Sequence, residues 1–262
     1  AVQMGGKCGY IDRVGNVVLE PAWENVGGFF DGLSTAQRDG RWGFIDAEGN
    51  AIIDHQWEIL SAFADGLAIV RRDGKWGFID TQGNVVGELQ WDGAGPFSGG
   101  RATVQKDGKW GFIGKTGNVV GELKWDAVWT FTEGLAAVSK DGKWGFVDEA
   151  GKVVIELQWD GAGPFSEGRA AVQKDGKWGF VDKTGSTVIE PQWDGASVFS
   201  NSLAAVQRDR KSGYIDKTGS VVVEPQWNAA TQFLNGLAWV MKDGTQGYIN
   251  TSGEPICGVK LS

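Results

Sequence analysis

The sequence predicts an all-β repeat protein, and three observations carry that prediction. A Gly that is always followed by an aromatic residue recurs every 34 residues, at Gly9, Gly43, Gly77, Gly111, Gly145, Gly179, Gly213 and Gly247. Short apolar stretches alternate with Asp-Gly and similar turn signals, a pattern of strands. No segment shows a 3.6-residue apolar period, so no helix competes for these residues. The chain reads as a single repeat domain, 1–262, of eight units with no insertion between them.

The elements of one unit follow in order. Residues 135–138 form a strand, and Asp141-Gly142 supplies the two-residue turn that favours a hairpin. Residues 144–147 form the next strand. A longer turn covers 148–151, where Gly151 is free to take positive φ. Residues 153–155 continue the meander, and 159–165 has room for a fourth, shorter strand.

Composition fits this picture. There are 42 Gly and 14 Trp, against 3 Tyr and 6 Pro. A collagen period is absent, and an aromatic content of 11 % excludes a disordered chain. Twelve of the Trp fall in two columns. One holds Trp42, Trp76, Trp110, Trp144 and Trp178, each before its Gly; the other holds Trp23, Trp57, Trp91, Trp125, Trp159, Trp193 and Trp227. Trp129 and Trp239 belong to neither. A net charge of -8 argues against a nucleic-acid partner. No apolar run reaches the roughly 20 residues of a membrane-spanning helix. The missing initial Met fits a cleaved precursor or an excised fragment equally well.

A unit of this kind cannot bury its own apolar surface, so its neighbours must. The expectation is a closed eight-bladed β-propeller-like ring, with an open β-solenoid or superhelical array as the alternative. Strand 110–113 is apolar on both faces, and Leu261 falls in the second Trp column, so the chain ends almost where a ninth unit would begin. The two cysteines, Cys8 and Cys257, lie in the first and eighth units, which a ring makes adjacent. A Cys8–Cys257 disulfide is expected on that closure, with two free thiols as the alternative.

The DGKWGFID-like core, the turn Gly, the V-V-I-E-P stretch and the F-x-E-G-L-A-x-V stretch together resemble the WG, or KWG, repeat family of bacterial β-repeat proteins. The resemblance covers essentially the whole chain and implies a β-rich repeat without assigned chemistry, serving in binding. The sequence departs from it at Cys8, Ser212 and Gln246, and at Arg210, which replaces a turn Gly.

Catalytic chemistry has little to draw on. The sole His, His55, occupies the column of Pro21, Pro191 and Pro225 and reads as a surface substitution. One His and two Cys give no metal-ligand spacing. Asp12, Asp46, Asp80, Asp148, Asp182 and Asp216 each sit three residues before a turn Gly, where a carboxylate can hold the turn. No catalytic residue, metal or cofactor is expected. The remaining candidates are aromatic. The Trp-Gly column reads as packing, whereas the Gln-Trp-Asp column has polar flanks and could present partly exposed rings. Trp91, Trp125 and Trp159, with the columnless Trp129 and Trp239, are therefore the candidate binding residues. The expectation is a non-enzymatic scaffold for a protein partner or for self-assembly, in an extracellular, cell-surface or periplasmic location. A lectin-like multivalent glycan-binding module is the alternative.

Overall fold

A computed structural model of the chain describes residues 1–256 and contains strands and turns but no helix among them. Cys257 and Leu261, on which the expected disulfide and part of the closure argument rest, lie outside the described residues. Eight antiparallel meanders follow one another, the first of three strands and the other seven of four. The chain falls into two compact units, Ala1–Lys124 and Trp125–Ser262.

In the second unit, a representative sheet comprises Gly161–Ser166, Arg169–Lys174, Lys177–Val181 and Thr187–Trp193, paired in sequence order. The short strand thus opens a sheet rather than closing one. The second-column Trp193 ends its sheet, and the following Asp194 starts the next. Between the first two long strands, Asp175 and Gly176 take φ of 50° and 77°, the two consecutive left-handed residues of a type I′ hairpin turn. Arg210 accepts φ 61° in the same position of the seventh sheet, where an L side chain carries a steric penalty that Gly lacks.

The Gly of Trp-Gly has a specific cause. Register shifts on both sides of Phe146 bulge the third long strand, Val153–Trp159, against Lys143–Asp148. The bulge pushes main chain onto Gly145, where an added Cβ would lie 2.4 Å from the Ile155 carbonyl oxygen and 2.9 Å from the Leu157 nitrogen. Only Gly fits there, and the same bulge leaves Trp144 and Trp159 directly opposite one another.

Within the second unit, a sheet is covered on both faces. Phe180 and Val181 point to opposite faces of one strand and both are fully buried. Phe180 packs with Phe199 of the following sheet, ring centroids 4.8 Å apart, while Val181 joins the cluster of Phe146, Ile155 and Trp159 in the preceding one. Each such ring contributes on the order of 1.5–3 kcal/mol by leaving water.

Gly145→Ala is expected to lower stability by about 1–3 kcal/mol, the usual cost of overpacking. Gly163→Ala, whose Cβ would meet nothing nearer than Ala171 at 3.8 Å, is expected to leave stability unchanged or slightly raised. Urea denaturation midpoints of the two variants check this; equal midpoints would remove the close approach as the reason for the Gly.

Candidate functional site

The first-column Trp rings are half-buried, whereas those of the second column are 1–5 % exposed. This corrects the expectation of partly exposed rings at Trp91, Trp125 and Trp159, which are 3 %, 3 % and 5 % exposed. The rings pack into the clusters between sheets, as Trp159 does with Phe146 and Phe165, and at several of them a cation from the next sheet lies across the ring. Arg38 sits 4.3 Å over Trp23, Arg72 5.0 Å over Trp57 and Arg208 4.2 Å over Trp193. Lys106 and Lys242 cover Trp91 and Trp227 at 6.0 Å. Their apolar stems exclude water while the charged heads reach solvent.

The polar flanks of these Trp serve the same contact. Gln90 accepts from Lys106 Nζ at 2.8 Å, and Gln56 accepts from Arg72 at 2.8 Å. On the other side, Asp92 Oδ2 accepts the backbone N–H of Asp107 at 2.8 Å, the turn residue of the following hairpin. Asp126 does this for Asp141, Asp160 for Asp175 and Asp194 for Asp209, all at 2.8 Å. Lysines from the preceding hairpin close the arrangement: Lys75 to Asp92 at 2.7 Å, Lys143 to Asp160 at 2.6 Å, and Lys177 to Asp194. Gln-Trp-Asp is therefore a clamp between consecutive sheets: Gln and Trp hold the cation of the next sheet, and Asp, which opens that sheet, holds its hairpin turn and a lysine of the sheet before.

A second ladder joins the opposite loops. Asp65 accepts from the Gly100 N–H at 2.8 Å, Glu133 from Gly168 at 3.0 Å, Glu167 from Ser202 at 3.0 Å and Asn201 from Gly236 at 3.1 Å. Lys183 and Lys217 add ion pairs to Glu133 and Glu167 at 3.1 and 2.9 Å.

The Asp-x-x-Gly turns are held as expected. Asp12 accepts from the N–H groups of Val14 and Asn16, Asp148 from Ala150 and Lys152, and Asp216 from Thr218 and Ser220, at 2.8–3.0 Å. Asn250 substitutes for Asp in the eighth sheet, accepting from Ser252 and Glu254. His55 differs from expectation. It is half-buried and stacked on Trp23, centroids 5.3 Å apart and planes 14° from parallel. Burial, with Arg38 nearby, lowers its pKa, so it serves as a neutral packing group between sheets. Cys8 Sγ lies 3.6 Å from the Glu24 carbonyl oxygen.

Two of the candidate Trp remain to be placed. Trp129 is 50 % exposed, in a column otherwise of Gly, Ser and Thr. Trp239 is half-buried, opposite the 52 % exposed Tyr248 on the last sheet. The five candidate residues therefore do not form one site. Among the described residues there is no cluster of three His, Cys, Asp or Glu able to hold a metal. Among the described residues no helix is long and apolar enough to cross a membrane.

The family model for the WG containing repeat matches residues 9–42, 42–76, 76–110, 110–144, 144–178, 178–211 and 213–245, and the chain belongs to that family. A comparison with curated proteins finds no match. Among solved structures, a eukaryotic initiation factor is similar over 82 % of this chain and 70 % of its own, at 14 % identity and TM-score 0.55. Kluyveromyces lactis Hsv2p matches at 10 % identity and TM-score 0.48, over 83 % of this chain and 88 % of its own. The dihydro-heme d1 dehydrogenase NirN matches at 12 % and 0.48, over 93 % and 68 %. At these identities the likeness is one of fold.

Two predictions follow from the clamp. Ser212 stands where a column Trp would lie, and a hollow of about 210 Å³ opens beside it, lined by Gly195, Gln207 and Ala230. Ser212→Trp is expected to fill it and raise stability by about 0.5–2 kcal/mol, read as a shifted denaturation midpoint; a fall in the midpoint would show that the hollow is not a vacant Trp position. The carboxylates of Asp92, Asp160 and Asp194 are held below their ordinary pKa, first by their lysines and then by the turn N–H groups. Side-chain hydrogen bonds from Asn16, Asn50, Asn84, Thr184 and Thr218 lower Asp12, Asp46, Asp80, Asp182 and Asp216. A depressed folded-state pKa gives stability that is present above the unfolded value and lost as pH falls through the folded one. The melting temperature is expected to be flat above about pH 5 and to drop below about pH 4; calorimetry showing a rise toward pH 3 would contradict this.

Proposed function

We propose that the protein is a non-enzymatic repeat scaffold whose partner is a further sheet of its own kind, supplied by a second copy of the chain. The observation that carries this is the apolar surface left exposed on the first and eighth sheets among the described residues. Tyr248 of the eighth sheet is 52 % exposed, whereas Phe146, Phe180 and Tyr214 in its column are fully buried under a following sheet. Ile11 of the first sheet is 41 % exposed, whereas Ile45, Ile79 and Ile249 in its column are fully buried against a preceding one. These faces are apolar, with Leu234 70 % and Leu237 39 % exposed near Tyr248, and Met4 60 % exposed on the strand paired with that of Ile11.

The two faces are complementary by the rule that joins every interior pair, so the last sheet of one copy receives the first sheet of another. Such a contact is heterologous and builds a ring or a filament. A protein partner bearing the same repeat would use the same faces. Of its candidate Trp, the glycan alternative keeps only Trp129 as a well-exposed ring among the described residues, which supplies no site in every repeat. An extracellular or periplasmic location belongs to this proposal as well.

Sedimentation velocity tests the reading. The chain is expected to self-associate with concentration, and Ile11→Lys or Tyr248→Lys alone to end this growth. A mixture of the two variants keeps one intact face of each kind and is expected to form a dimer and nothing larger. A protein that stays monomeric at every concentration, or variants that assemble like the parent, would overturn the head-to-tail contact.

A further inference from the structure

We propose that the hollow between the second and third sheets binds a primary ammonium group carried on a short apolar stem or ring. The hollow lies within the first compact unit and measures about 430 Å³, within the size range of small-molecule sites. Its lining combines the apolar side chains of Phe30, Leu33, Phe44, Leu60 and Phe63 with two carboxylates, Asp31 and Asp65.

Three departures from the repeat meet at this one place. In the second unit, the Ser at the column of Phe30 pins the next sheet: Ser166 Oγ donates to the Phe199 carbonyl at 2.7 Å, and Ser200 Oγ to that of Phe233 at 2.6 Å. Phe30 has no hydroxyl to offer. The Phe63 ring lies nearly parallel to Phe44, at 23°, whereas the corresponding pairs elsewhere meet at 54–77°. Phe199 and Phe233 are fully buried, but Phe63 is only half-buried, and the space they would fill is open beside it.

The second departure is Thr81. Its column varies along the chain, but in the sixth and seventh sheets it holds Lys183 and Lys217, whose ammonium groups pair with Glu133 and Glu167. Those two acids occupy the column of Asp31. At this interface the acid is present and the lysine is not. The third departure is the loop ladder. Asp65, Glu133 and Glu167 each accept a backbone N–H from the following sheet, and Asp31 makes no such bond among the described residues. A carboxylate without its ammonium, at the mouth of an apolar hollow, matches an amphipathic cation. The protein's own lysines show the geometry that such a cation would take.

Isothermal titration with 2-phenylethylammonium chloride tests the site. One saturable site per chain is expected, and raised salt should weaken it. Asp31→Asn is expected to weaken binding roughly threefold to tenfold, the range of a partly exposed charged contact. Thr81→Lys, which restores the internal ammonium, is expected to abolish binding while the melting temperature is kept. The uncharged 2-phenylethanol should bind more weakly than the amine. Absence of a saturable heat at millimolar amine, equal affinity for the alcohol, or parental affinity in both variants would overturn the proposal.

Discussion

Each sheet of this protein is apolar on both faces, and everything else in the structure depends on that constraint. Phe180 and Val181 are neighbours in one strand, point opposite ways and are both fully buried. A meander this short gains cover for one face from the sheet before and for the other from the sheet after. The inter-sheet distance and register must then repeat, because packing of this density leaves no slack. An insertion within a unit would displace the Gln-Trp-Asp clamp from the hairpin that it grips, 15 residues further on. The constant 34-residue spacing is the sequence trace of that mechanical requirement.

The local parts of the fold were legible because their causes are local. Asp148 and the N–H groups that it holds lie within four residues of one another, and Asp141-Gly142 turns the chain by its own backbone preference. The Gly of Trp-Gly was legible as a close approach, although the approaching group, the bulged Ile155–Leu157 main chain, was not. The misreading of Trp91, Trp125 and Trp159 has the same origin. Polar flanks suggest exposure when only the strand is considered, yet Gln90 and Asp92 reach 15–16 residues ahead to Lys106 and Asp107. The signal was present in the sequence, since a Lys or Arg recurs 15 residues after each second-column Trp. It becomes readable only once the next sheet is placed beside it. His55 was misread in the same way, because its partner Trp23 belongs to the preceding sheet.

Repetition also separates what folds the chain from what distinguishes it. A rung made at every interface, such as the turn Asp or the clamp Asp, is accounted for by holding sheets together. A specific activity needs residues that are not repeated, and the structure concentrates these at few places. Phe30 stands where Ser166 and Ser200 stand in later sheets, Thr81 where Lys183 and Lys217 stand, and a hollow lies between them. Ser212 breaks the Trp-Gly column, and a smaller hollow lies there. Tyr248 keeps its column but lacks its cover.

The two kinds of departure act on different scales. Loss of cover at Tyr248 and Ile11 exposes surface that the repeat elsewhere buries, and its chemistry is that of another sheet. Loss of a lysine opposite Asp31 leaves a charge and a volume unmatched inside an otherwise standard interface, and its chemistry is that of a small cation. Each interface of a repeat protein is nearly independent of those beyond its neighbours. A change at Asp31 or Thr81 alters the contact between the second and third sheets and leaves the clamp at Asp160 and Asp194 intact. The abundant Gly and Trp are thus the invariant part of the molecule, and its individuality resides in the few positions where that pattern lapses.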